Sequence, residues 1–183
     1  MNSIHNFLSD KSFTKICVKS RDSLEDLAIK NCIHLTNSCL SDNIGHLKRL
    51  IRLDLSYSKQ IDDTVVNVIA LELRNLKKLC LRFLSQVTAL SIGKVLEFSN
   101  LEGLDLSGCF NVNLDLVLVK LKNNNASLKC LLLEYLMVQP FHLYHLRSSK
   151  IQTLSLFCKA HTHSIIIFLD CRTVTDSHLE VLR

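Results

Sequence analysis

The chain has 183 residues, 48% of them hydrophobic but only 6% aromatic, with no Trp and a single Pro. That is enough for one domain with a continuous core, and apolar content carried mainly by Leu suits a layered helical or solenoid core better than a β-sandwich. The net charge of +5 is a mild bias, not the footprint of a dedicated nucleic-acid binder, and no stretch reaches the roughly 18 apolar residues of a membrane span.

Eight cysteines are present and none forms a CxxC pair. The opening MNSIHNFLSDKSF has no basic n-region followed by an apolar h-region, so it does not read as a signal peptide. Reduced thiols are therefore expected, and with them a cytoplasmic or nuclear location.

The expected elements follow one register. Residues 1–23 contain DKSFTKICVKSRDS, which reads as the helix of an incomplete repeat with Phe13, Ile16 and Cys17 on its buried face. Five copies of about 26 residues fill 24–150, opening at Leu24, Leu50, Leu76, Leu101 and Leu128, each with LxxLxL or a close variant. The apolar residues of that opening alternate, as in a short strand. A polar turn follows, then a helix-like stretch. Leu40, Ile44 and Leu47 in the first copy, and Val65, Ile69 and Leu73 in the second, have helical spacing and are expected behind the strands. Thr36, Asp62, Thr88 and Asn113 fall where a helix N-cap is wanted.

Residues 151–183 are irregular. IQTLSLFC from Ile151 opens a sixth copy, and Cys171, Val174, Thr175 and Asp176 fit positions 9, 12, 13 and 14 of another that begins near His163. About one helix-length is missing between them. Either a tight turn through KAHTH replaces the helix or an exon is missing from the gene model. One strand–helix unit cannot bury its own apolar side, so stacking of copies supplies the core.

With Cys32 and Cys109 at position 9 and endings such as LT, ID, VT and VTD, the chain resembles the cysteine-containing leucine-rich repeats, whose consensus is roughly LxxLxLxxCxxITDxxLxxLxxxC. These are best known from F-box/LRR proteins and their relatives without an F-box. The resemblance implies an α/β solenoid, with a curved parallel sheet on the concave side and helices on the convex side. It implies that the position-9 cysteine turns inward, and that the strands line a protein-binding surface. The function it implies is substrate recognition within an SCF-type ubiquitin ligase, in ubiquitin-dependent protein catabolism. A leucine-rich-repeat scaffold or regulator without an F-box is the alternative. An F-box is not visible, and the only Pro is Pro140. Contact with the SCF adaptor would then run through a missing region.

Adjacent copies place equivalent side chains about 5 Å apart. Position 3 runs Asp26, Arg52, Lys78, Gly103, Cys130 and Thr153; position 5 runs Ala28, Asp54, Cys80, Asp105, Leu132 and Ser155. Position 7 runs Lys30, Ser56, Arg82, Ser107, Glu134 and Phe157; position 8 runs Asn31, Tyr57, Phe83, Gly108, Tyr135 and Cys158. Aromatic side chains beside Arg are typical hot-spot content. The expected interface is thus Arg52, Asp54, Tyr57, Lys78, Arg82, Phe83, Asp105, Glu134 and Tyr135, with Arg52, Lys78 and Arg82 as a basic cluster. The bland reading makes these a solvated strand face, with Phe83 packed into its turn.

No catalytic constellation or cofactor motif emerges, so enzymatic activity is not expected. Cys158, His161, His163 and Cys171 match no closed zinc spacing and read as a polar loop with repeat cysteines. His142 and His145 are expected to face solvent, and Cys80 and Cys130 to sit outward on their strands. RNA contact through Lys30, Arg52, Lys78 and Arg82 is opposed by interleaved acids.

Overall fold

The computed structural model describes residues 8–124, 127–138, 142, 145–146, 151–157 and 164–167. Helices α1 (Asp10–Ser20), α2 (Asn37–Ile44), α3 (Asp63–Glu72), α4 (Ala89–Val95) and α5 (Leu114–Asn124) form one layer. Strands β1 (Asp26–Ala28), β2 (Arg52–Asp54), β3 (Lys78–Cys80), β4 (Gly103–Asp105), β5 (Cys130–Leu133), β6 (Thr153–Phe157) and β7 (Ser164–Ile167) form one sheet in chain order. Strands β1 to β6 are parallel, and position 3 pairs with position 3 throughout: Asp26 with Arg52, then Lys78, Gly103, Cys130 and Thr153. This is the leucine-rich-repeat solenoid, in the register read from the leucines.

The core lies between the layers. Position-4 leucines Leu53, Leu79, Leu104 and Leu131 and position-6 leucines Leu55, Leu81, Leu106 and Leu133 are all buried. Behind them sit Leu40, Ile44, Leu47, Val65, Ile69 and Leu73, all expected there. Phe13 and Cys17 are buried on α1, and Ile16 is partly covered.

All four expected N-caps accept a backbone N–H. Thr36 accepts from Cys39, Asp62 from Thr64, Thr88 from Leu90 and Asn113 from Leu116. Two caps are held in turn by the preceding helix. Asp10 accepts from the Thr36 amide and hydroxyl, at 2.9 and 2.8 Å. Asp63 does the same for Thr88, at 2.8 and 2.6 Å, and also accepts from Ser91.

Two expectations fail. Strand β7 is not the parallel strand of a further copy; it folds back antiparallel on β6, with Leu154 opposite Ile167 and Phe157 opposite Ser164. The physical reason is length, since a parallel crossover needs a dozen or more residues whereas an antiparallel return needs only a short loop. His142 is not solvent-facing either. It is buried, with its Nε2 3.1 Å from a carboxylate oxygen of Asp115 on α5. Cys158, His161, His163, Cys171, Val174, Thr175 and Asp176 lie outside the described residues.

Candidate interaction surface

The turn after each strand determines where the surface side chains go. At position 8 the backbone is left-handed in every one of the five copies: φ is 52° at Asn31, 66° at Tyr57, 59° at Phe83, 69° at Gly108 and 62° at Tyr135. Non-glycine residues adopt this conformation at a cost of about 1–2 kcal/mol each. Here the neighbouring copy holds it in place. The position-8 N–H donates to the position-7 carbonyl of the next copy, from Asn31 to Ser56, Tyr57 to Arg82, Phe83 to Ser107 and Gly108 to Glu134.

Further bonds bolt the turns together. At position 9 the Ser58 hydroxyl donates to the Ile29 carbonyl and the Cys109 thiol to the Leu81 carbonyl, each one copy back. At position 11 Gln60 donates to the carbonyls of Cys32 and Leu35, Gln86 to that of Lys59 and Asn111 to that of Ser85. The amide column was legible as a polar residue at one fixed position, but the leucine pattern drew the reading elsewhere.

These turns display an aromatic row. Tyr57 stacks on Phe83, with ring centroids 5.1 Å apart and planes 19° from parallel. Phe83 also meets Tyr135, two copies further along the sheet, at 5.3 Å. Strands two apart are separated by roughly 9–10 Å, so a ring must lean across the intervening copy. Gly108 makes that possible. A Cβ there would lie 2.5 Å from Phe83 Cδ1 and 2.6 Å from Cε1. Phe110, 63% exposed, joins the row edge-on to Phe83 at 6.3 Å. At the same position 10 of the next copy, Met137 is 74% exposed. Neither was in the expected interface. Their signal was two large apolar residues at the exposed position just after the inward residue of the turn.

Arg82 holds the row from the sheet side. Its guanidinium carbon lies 5.5 Å from the Phe83 centroid and 5.4 Å from that of Tyr135. It pairs with Glu134 at 2.7 Å and Asp105 at 3.7 Å, and Glu134 accepts further from Ser155. Burial alone would raise the Glu134 carboxyl, but bonds from Arg82 and Ser155 outweigh it and hold it below the ordinary value. Burial works against the Arg82 charge too, yet the bonds to Glu134 and Tyr57 leave its pKa raised.

The expected basic cluster is therefore divided. Arg52 is exposed and paired with Asp26. Asp54 accepts from Ser56 and from Lys30 at 2.7 Å; burial would raise its carboxyl, and these bonds lower it below the ordinary value. Lys78 is exposed beside Gly103 and makes no ion pair among the described residues. Arg82 is mostly covered and internally satisfied. Arg52 and Arg82 find opposite partners within the same face, which relieves the repulsion that unpaired like neighbours would feel.

The thiols are quiet. Burial, aided by Asp105, pushes Cys80 up to about 12, and burial pushes Cys109 up to about 11. Cys80 and Cys130, read as outward, are half-buried.

No known protein family's sequence profile matches the chain, and no curated protein matches it by sequence. By structure it is similar to a chain in the crystal structure of the yeast Rad7 and Elc1 complex. There the TM-score is 0.69 and the identity 17%, with 91% of this chain and 46% of the other covered. It thus spans about half the length of that chain. The leiomodin-1 actin-binding site 2 aligns with a TM-score of 0.48 at 14% identity, covering 83% and 82% of the two chains. At such identities the likeness to the yeast chain shows a shared fold.

Proposed function

We propose that this chain recognises another protein through the aromatic rim of its sheet, and that it catalyses no step itself. The observation that carries the reading is the row in which Tyr57, Tyr135 and Phe110 stay exposed around a half-buried Phe83, while Arg82 and the left-handed turns fix it in place. Aromatic residues held rigid before binding lose little entropy on binding and dominate interface energetics. Arg82 acts here as a buttress, so the contact area belongs to the rings and Met137. The finer role is substrate recognition by an F-box/LRR-type subunit of an SCF ubiquitin ligase. Its support is the repeat pattern with inward cysteines, together with the fold shared with a chain of the yeast complex, itself solved with another protein. No helix among the described residues is long and apolar enough to cross a membrane.

The test is affinity capture with the wild-type chain and with Tyr57→Ala/Phe110→Ala/Met137→Ala, three exposed side chains whose loss leaves the core intact. The variant is expected to lose captured partners at least thirtyfold in affinity, matching about 2 kcal/mol for a hot spot. Unchanged capture refutes the rim. Co-capture of an SCF adaptor through the partner-bound full-length protein separates the ligase subunit from an F-box-free scaffold.

A further inference from the structure

We infer that the opposite rim, where chain enters the strands, is a second interaction surface that takes an acidic segment of a partner protein. In a parallel strand–helix repeat, all strand starts and helix ends lie at one end of the molecule. In these connections Lys and Arg outnumber Asp and Glu, whereas the helix starts at the other end carry Asp10, Asp62, Asp63 and Asp115. The connections that precede β1 to β5 hold six Lys and Arg against four Asp and Glu, so this edge is the more basic of the two.

Most acids of this edge are already used. Arg49 pairs with Glu25, Lys48 with Glu72, Lys120 with Glu97 and Lys129 with Glu102, each across one repeat. Arg74 lies over the Phe98 ring. Lys77 makes no ion pair among the described residues. It lines an open notch of about 380 Å³ together with Ser99, Asn100, Glu102, Lys129 and Gln152. That is the lower end of ligand-sized clefts, about 300–1,000 Å³.

The notch is built on a fixed frame. Lys77, Glu102, Lys129 and Gln152 occupy position 2 of successive copies. The carbonyl of Lys77 accepts the N–H groups of Glu102 and Gly103, that of Glu102 accepts those of Lys129 and Cys130, and that of Lys129 accepts those of Gln152 and Thr153. The column thus holds two lysines around one glutamate, about 5 Å apart. Glu102 is answered by Lys129, and the ammonium of Lys77 is left to meet an incoming carboxylate. Asn100 and Gln152 add amide groups to the lining of the notch.

Spacing favours a peptide over a nucleic acid. A phosphate backbone carries charge at every nucleotide and would run past Glu72, Glu97 and Glu102. A peptide can place one carboxylate at Lys77 and neutral groups at the glutamates.

The experiment is fluorescence anisotropy with a labelled decapeptide of alternating Glu and Ser, against the same peptide with Gln for Glu and against a dT decamer. Expected are binding of the Glu peptide at least tenfold tighter than the Gln peptide, and severalfold weakening between 50 and 200 mM salt. Lys77→Glu/Lys129→Glu is expected to lose tenfold or more, and Lys77→Ala, which breaks no ion pair, about threefold. Lys59→Glu on the far rim should change nothing. No Glu-peptide binding, equal binding of the Gln peptide, or tighter binding of dT overturns the inference, as does unchanged affinity in Lys77→Ala. The aromatic rim is untouched by these variants, so the two readings fail separately.

Discussion

Gly108→Ala isolates why a glycine interrupts the aromatic row. Conformation alone does not require it, because Asn31, Tyr57, Phe83 and Tyr135 hold the same left-handed backbone with side chains. That term costs the alanine about 1 kcal/mol. The larger effect is steric, since the new Cβ would sit 2.5 to 2.9 Å from three atoms of the Phe83 ring, including the hinge-side Cγ. No small torsion clears all three, so the ring must leave Tyr135. It then forfeits an aromatic pair of about 0.5–1.5 kcal/mol and part of the cation–π contact with Arg82, about 0.5–1 kcal/mol. The single substitution should cost roughly 2–3 kcal/mol in urea denaturation. Phe83→Ala removes both the clash and the contacts. In the double variant the costs should therefore fall short of their sum by about 1–2 kcal/mol. Strict additivity would refute the argument that Gly108 serves Phe83.

Three other outcomes are expected. Gln60→Leu removes a side-chain donor shared by the Leu35 carbonyl and the Cys32 carbonyl, the latter keeping its bond from the Leu35 N–H, so it should lower stability by about 1–2 kcal/mol and speed amide exchange around Cys32 to Leu35. Exchange that speeds up uniformly over the chain would argue against a local clip. Asp63 is depressed below its ordinary 3.8, because bonds from Ser91 and Thr88 outweigh burial. Its contribution is therefore complete above that value and fades as pH falls through the lower folded value. Asp63→Asn should flatten part of the acid limb of a stability–pH curve while leaving its shape above pH 5 unchanged. Cys80 and Cys109, pushed to about 12 and 11, should react with a disulfide reagent at pH 8 far more slowly than in denaturant; rapid labelling of either in the native chain contradicts their burial.

The fold was largely legible because its determinants are local and repeated. Leucines at positions 1, 4 and 6 name the inner face, and Thr36, Asp62, Thr88 and Asn113 name the helix starts, without reference to any distant contact. The aromatic column was legible for the same reason. What escaped depends on relations between copies. Arg82 reaches past Ser107 to Glu134, so a column of charges read one copy at a time misses its partner. Phe83 reaches Tyr135 only because Gly108 is bare. His142 is buried and meets Asp115 of α5, a contact that no periodicity announces. Strand β7 reverses direction because of the connection length, and its apolar run SIII alone is neutral between the two pairings.

The bonds of the turns share a direction in time as well as in space. The turn carbonyls of Cys32 and Leu35 wait for Gln60, that of Ile29 for Ser58, and that of Leu81 for Cys109; the strained position-8 amides wait for carbonyls in the following copy. A nascent chain can therefore complete each of these turns only after about 26 more residues have left the ribosome. Removing a copy from the front would leave these particular bonds of the later copies in place. Removing one from the back would reopen the turn before it.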